Sequence, residues 1–293
     1  YSHSSEQLLR TSNSKLRTHN VTRRYFLRWL LGVPFFFFFP LYVRKAKAGS
    51  SLSRNVGKDS IGQYFKGEEL VYEIGVWLFK RVAIGKLSLK ETDKKGLYMA
   101  TLQAETVGVL GWVARYRVDT YRSMMEEVDG GSRLKALSFE EDVKIGNKLR
   151  RKTHLFDYRR RKWIQMRRRR DGSMERTEQD IPAGMIYDDF LTASFNFRYG
   201  VYGGIERGKK YTVATFPRKG ASSYEVKVAS KEEEEKRRRA EKSKDGKEFY
   251  VQLFLDPEIT HSKEGLIEGW LSKELYPMEG TIKDVILFGD VKG

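Results

Sequence analysis

The chain of 293 residues has no cysteine. That excludes disulfides, iron–sulfur clusters and thiol catalysis. Histidine is almost as scarce, with His3, His19, His154 and His261 making up the full set of four. Two of these lie beyond residue 48, too few for a three-histidine zinc site within one chain. No loop has calcium-ligand spacing. The nucleophile elbow Gly-x-Ser-x-Gly, the phosphate loop, the dinucleotide fingerprint and His-Glu-x-x-His are all missing. Gly200, Gly203, Gly204 and Gly208 cluster without phosphate-loop order and read as turn residues. No cofactor is expected. Long apolar runs are lacking too: Trp29–Val43 is shorter than the about 20 residues of a spanning helix and holds Pro34 and Pro40.

Positive charge is plentiful, with 56 Lys and Arg against 39 Asp and Glu. Part of it belongs to the stretch 22–48. Arg23-Arg24 is followed by Tyr25-Phe26-Leu27, then by the apolar run, then by Ala46-Lys47-Ala48. A basic start, an apolar run of about 7–15 residues and a small-x-small end make a secretory signal. The arginine pair with hydrophobic residues behind it resembles a twin-arginine signal, and the preceding residues, rich in Ser, Thr and Asn, read as its unstructured extension. Cleavage after Ala48 is expected. The competing reading, a retained anchor, is disfavoured by length and by the two prolines. The implied location is periplasmic or otherwise exported, and the implied first partner is the twin-arginine export machinery.

Nine basic residues and one acidic residue fall in 1–48, which leaves 47 against 38 and a net charge of +9 for the remainder. This excess favours anionic surfaces such as lipid headgroups or acidic polymers. Nucleic acid is not an expected partner outside the cytoplasm.

Residues 49–66 read as a linker, and ordered structure is expected from Gly67 to residue 293 as one β-rich domain. Strand period appears in Leu70–Trp77, Val82–Lys90 and Leu97–Val107. In Trp112–Met124 the pattern puts Trp112, Ala114, Tyr116, Val118 and Thr120 on the buried face and Arg115, Arg117 and Asp119 on the other. Asp129-Gly130-Gly131-Ser132 signals a hairpin. Leu134–Val143 and Lys148–Tyr158 follow as strands. Further strands are expected at 210–216, 222–230, 249–255, 266–271 and 281–288.

Arg159, Arg160 and Arg161, with Arg167, Arg168, Arg169 and Arg170, flank Lys162-Trp163-Ile164-Gln165-Met166. They form either an anionic-ligand surface or a solvated strand that protects a sheet edge; the second is preferred. Residues 231–246 carry four Glu-to-Lys or Glu-to-Arg pairs at i, i+4 and almost no apolar face. They read as a solvated, partly helical excursion.

Ile186–Phe197 breaks the β pattern. Tyr187, Leu191 and Phe195 recur every four residues, with Phe190 and Ser194 on a neighbouring line. Asp188 and Asp189 stand near the positive end of this expected helix. Asp189 reads as its cap.

From Gly67 onward the chain resembles the exported domain-of-unknown-function family 3108. Gly67-Glu68-Glu69-Leu70-Val71-Tyr72 with Gly85, Phe156-Asp157, Asp189-Phe190-Leu191-Thr192 with Phe195 and Arg198, and Trp270, Ser272 and Pro277 carry the resemblance. Lys273-Glu274-Leu275-Tyr276 lacks the basic residue expected before the proline. The resemblance implies a mainly β fold: a curved antiparallel sheet or half-barrel with one helix on its concave side. It implies a compartment and no reaction.

The leading expectation is a non-enzymatic envelope protein that binds a lipidic or amphipathic ligand. Tyr187, Phe190, Leu191 and Phe195 would line the cavity, and Arg198 would meet a headgroup or pair with Asp189 or Asp157. The alternative is a structural protein whose arginines bind an anionic envelope polymer or a partner protein. A polymer hydrolase is third, and needs two carboxylates facing each other across a cleft.

Overall fold

The computed structural model describes residues 59–76, 79–169, 171–218, 221–241, 246–254, 262–285 and 289–292. The expected signal with Arg23, Arg24, Ala46 and Ala48 lies outside the described residues, as do Arg170 and most of the expected linker.

Alternation of buried and open side chains builds the strands. In β3 (Leu97–Thr106), Tyr98, Ala100, Leu102 and Ala104 are buried while their neighbours are more open. Seven more strands join it in an up-and-down meander: β1 (Glu69–Val76), β2 (Phe79–Glu91), β4 (Val118–Val128), β5 (Arg133–Ile145), β6 (Lys148–Asp157), β7 (Lys162–Arg168) and β8 (Met174–Asp180). A second meander holds β9 (Lys210–Arg218), β10 (Ala221–Val228), β11 (Phe249–Phe254), β12 (Leu266–Leu271), β13 (Pro277–Val285) and β14 (Gly289–Lys292). The two are joined through the short β1–β14 ladder, Gly75 opposite Lys292 and Val76 opposite Val291. Every ladder is antiparallel. The order β8-β7-β6-β5-β4-β3-β2-β1-β14-β13-β12-β11-β10-β9 leaves β8 and β9 as edges.

The sheet is curved and not closed into a barrel. Register shifts at Ile74–Val76, Met124–Met125 and Trp270–Leu271 bend its strands. The curl brings Phe216 of β9 against His154, Phe156 and Trp163 of β6 and β7, with ring centroids 4.6–5.5 Å apart. Side chains thus meet across the seam that no ladder closes. The connection between β8 and β9 enters the concave side as helix α3 (Phe190–Tyr199), found four residues later than the sequence pattern begins. The other described helices are α1 (Ile61–Phe65), α2 (Gly108–Val113) and α4 (Lys231–Glu241).

Three segments differ from the sequence reading. Ile61, Tyr64 and Phe65 of α1 are buried in the core, so the end of the expected linker is part of the domain. Trp112–Met124 is not one strand. Trp112 and Val113 close helix α2, and Arg115 and Tyr116, with φ of 57° and 49°, turn the chain before β4 starts at Val118. Ala114 is buried and Arg115 exposed as expected, but Arg117, Asp119 and Tyr121 are buried and Trp112 and Tyr116 are exposed, which inverts the faces from Tyr116 onward. Arg117 and Asp119 enter the interior as a bidentate pair, with both bonds at 2.8 Å. Finally, α4 is a helix fastened to the sheet by ion pairs. Its buried Glu234 accepts from Arg207 at 2.8 Å and from the Tyr250 N–H at 3.2 Å.

One buried ion pair ties helix to sheet. Arg198, in the last turn of α3, donates to both oxygens of Glu68 at 2.7 and 2.8 Å and to the Leu275 carbonyl at 2.7 Å. Both side chains are almost fully enclosed. Removing one partner strands a buried charge, so Glu68→Ala should cost about 3–5 kcal/mol. Urea denaturation reads this as a lower midpoint at unchanged slope. A loss within error of zero would mean the pair is not the tie described.

Candidate functional site

The helix is built from both ends. The Asp189 carboxylate caps it, accepting from the N–H groups of Leu191 and Thr192 at 2.9 and 3.2 Å. Its second oxygen accepts the Thr192 and Ser123 hydroxyls at 2.7 and 2.6 Å. Gly200, at φ 90°, supplies the left-handed residue that ends the helix. The Asn196 side chain clasps the Leu134 backbone of β5, donating at 2.8 Å and accepting at 3.0 Å.

Pinned in this way, α3 has two different faces. Leu191 and Phe195 sink with Tyr187 into a core that includes Leu70, Tyr72, Tyr98, Tyr121 and Phe139. Phe190 is half-buried against Tyr121 and Phe139, at 5.3 and 5.4 Å. Of the four residues expected to line a cavity, Tyr187, Leu191 and Phe195 are enclosed by protein and Phe190 is half-buried. Arg198, expected to meet a headgroup or to pair with Asp189 or Asp157, pairs with Glu68.

The opposite face carries Ala193 and Phe197. Across from them stand Val213, Val226, Leu253 and Ile267 of the second meander. A pocket of about 60 Å³ lies between them, with an almost wholly apolar lining. Arg198 also borders it, as do Ser194 of α3 and Tyr224 of β10. The strand pattern of 210–271 was legible in the sequence. That these valines and leucines face the small side of this helix was not, because the helix pattern was read from its large residues.

A polar cluster stands at the helix start, next to Tyr224. The Asp188 backbone N–H donates to the Ala214 carbonyl of β9 at 3.0 Å. Its carboxylate accepts Arg133 Nη2 at 2.7 Å and also the Tyr202 hydroxyl. Asp188 Oδ1, Arg133 Nε and the Tyr224 hydroxyl are buried without a hydrogen-bond partner among the described residues. Burial, then the charges of Asp188 and Asp189, push the Tyr224 hydroxyl well above its ordinary value. Native interiors leave few such groups unpaired.

The other expected groups are dispersed. Asp142 is bonded by Arg151 at 2.6 and 2.9 Å and by Arg122, which also holds Glu140. Glu141 meets buried His154 at 3.1 Å, whose other nitrogen accepts from Trp163 Nε1 at 3.2 Å. Arg159, Arg160, Arg161, Arg167, Arg168 and Arg169 are exposed. Arg169 pairs with Glu175 of β8, and Lys162 with Asp180, so acids on the edge strand offset part of this basic surface. Among the described residues no group of three or more His, Asp or Glu could hold a metal ion.

A family model described as "Protein of unknown function (DUF3108)" matches residues 71–292. No curated protein and no solved structure matches the chain.

Asp188 gives the site a testable pH dependence. Burial pushes its carboxyl up to about 6; the Arg133 charge and the Tyr202 hydrogen bond pull it down, and Asp189 adds to the rise. The folded protein therefore holds this proton more tightly than the unfolded chain. The contribution is complete below the ordinary carboxylate value and is lost as pH climbs to about 6, on the order of 3 kcal/mol at most. Asp188→Asn removes it. The stability of the variant relative to the parent should rise between about pH 4.5 and about pH 7.5 in urea titrations. Equal differences at the two pH values would contradict the assignment.

Proposed function

The chain belongs to the DUF3108 family, and on that premise we propose that it is a non-enzymatic envelope protein that binds an apolar or amphipathic molecule between α3 and the second meander. Export through the twin-arginine machinery is part of this reading and rests on Arg23, Arg24 and the Ala46-Lys47-Ala48 site. The basic balance of the remainder suits an envelope rich in anionic components.

The observation that carries the proposal is the contrast between the two faces of one helix. The Leu191–Phe195 face is packed solid, and the Ala193–Phe197 face leaves an apolar pocket. A void of about 10–15 Å³ measured in the same way admits one water, and an apolar cavity of about 150 Å³ accepts benzene. The pocket as it stands therefore takes the tip of a chain, and a longer ligand widens it by displacing side chains at its border. Tyr224 lines the pocket with its ring, while its hydroxyl is enclosed in protein. Glu268 and Glu279 also border the pocket and the lining is almost wholly apolar, so an uncharged chain fits better than one ending in a carboxylate.

Native mass spectrometry of the protein purified from envelope fractions is the direct test, with titration of decan-1-ol and decanoate as defined probes. The expected result is bound decan-1-ol, weaker decanoate, and a loss of roughly tenfold in affinity in Ser194→Leu, a change of about 1.4 kcal/mol. Ser194 is only half-buried, so the larger side chain enters the pocket border without overfilling the core. Absence of any retained or added ligand in the parent protein would remove the proposal.

A further inference from the structure

A second surface, independent of the pocket, is built where strand ends meet α2. Val109 and Trp112 of α2 and the adjacent Tyr116 are 79%, 71% and 60% exposed. Leu149, just past the β5–β6 turn, is 56% exposed. These groups are neighbours through the backbone. The Gly146 N–H of that turn donates to the Arg115 carbonyl at 2.9 Å, and the Arg115 guanidinium lies over Gly146. Lys144 pairs with both Val118 and Leu149 in the ladders.

The same strand ends carry Arg115, Lys144, Lys148 and Arg150, all exposed, and none forms an ion pair among the described residues. Glu105, on the adjoining end of β3, is the opposing acid. The surface thus combines a tryptophan, a tyrosine and two aliphatic groups with four unpaired cations. Isolated exposed apolar residues need no explanation, whereas a contiguous set does. Trp and Tyr favour the headgroup level of a bilayer, and nearby Lys and Arg draw a surface toward anionic lipid.

The geometry points to a docking surface for an anionic lipid bilayer, formed by Val109, Trp112, Tyr116 and Leu149 and ringed by Arg115, Lys144, Lys148 and Arg150. The apolar groups enter the headgroup layer and the cations meet the phosphates. A protein partner would be expected to offer acids matched to these cations; a bilayer offers a uniform negative plane over an apolar interior, which fits a mixed patch of this kind.

Hydrogen exchange of the full chain, with phosphatidylcholine vesicles with and without phosphatidylglycerol, tests this at the segments themselves. Vesicle binding by the apolar run at 29–43 then does not confuse the result. Peptides covering 107–117 and 144–150 should exchange roughly threefold or more slowly with the anionic vesicles, and less so with the neutral ones. The double variant Trp112→Ser with Tyr116→Ser should lose this protection while keeping its stability, as exposed substitutions do. Unchanged exchange at both segments, or equal protection in the double variant, overturns the inference. So does protection that appears without vesicles and grows with protein concentration, which assigns the surface to a second copy of the chain.

Discussion

The ion pair of Glu68 and Arg198 is the constraint on which the rest of the structure depends. The two residues are 130 positions apart and almost fully buried. Arg198 also donates to the Leu275 carbonyl, and its guanidinium lies 4.6 Å from the Phe65 ring and 5.7 Å from the Tyr276 ring. One side chain thus fixes the end of α3 against α1, the approach to β1 and the turn between β12 and β13. Burying two charges is favourable only when geometry and extra hydrogen bonds are supplied, and both are here. Its value is positional. With Asp189 at the other end and Asn196 on β5, it leaves the helix one seat within the curved sheet.

That seat explains why a pocket exists. The sheet wraps a helix whose faces differ in bulk, with Leu191 and Phe195 on one side and Ala193 on the other. The first face meets an aromatic core drawn from β1 to β7. The second meets valines and leucines of β9 to β12, and an apolar pocket remains between them and the helix. A helix held at both ends cannot roll to fill the gap, so the void persists. The Asp188 cluster lies outside this lining, which stays almost wholly apolar.

Much of this was legible in the sequence. Strand period located most of the ladders, Asp129–Ser132 marked the turn between β4 and β5, and Asp189 announced the cap. Pairings between distant residues were not legible. Arg198 has nearer carboxylates in sequence, and only the curl of the sheet brings Glu68 to it. In 112–124 alternation alone put tryptophan and tyrosine inside. The left-handed backbone at Arg115 and Tyr116 shifts the period by ending one element and starting another, so Arg117 and Asp119 enter together as a neutral pair. The charged stretch after β10 looked free for want of an apolar face. Its seat is ionic, through Glu234 and Arg207, and hydrophobic patterning cannot reveal such a contact. Among the residues that carry the family resemblance, Glu68, Asp189, Phe195 and Arg198 lie along the helix or at its fastenings, while Gly85, Phe156 and Trp270 lie in the strands.

The central claim is that one face of α3 is core and the other is a site. Methyl-resolved NMR during titration with decan-1-ol separates the two directly. The account predicts shifts confined to the methyl groups that line the pocket, those of Ala193, Val213, Val226, Val251, Leu253, Ile267 and Leu271, with those of Leu70, Leu87, Leu102 and Leu191 unmoved. Shifts spread over the Leu191 face, or none on the Ala193 face at saturating probe, would contradict it.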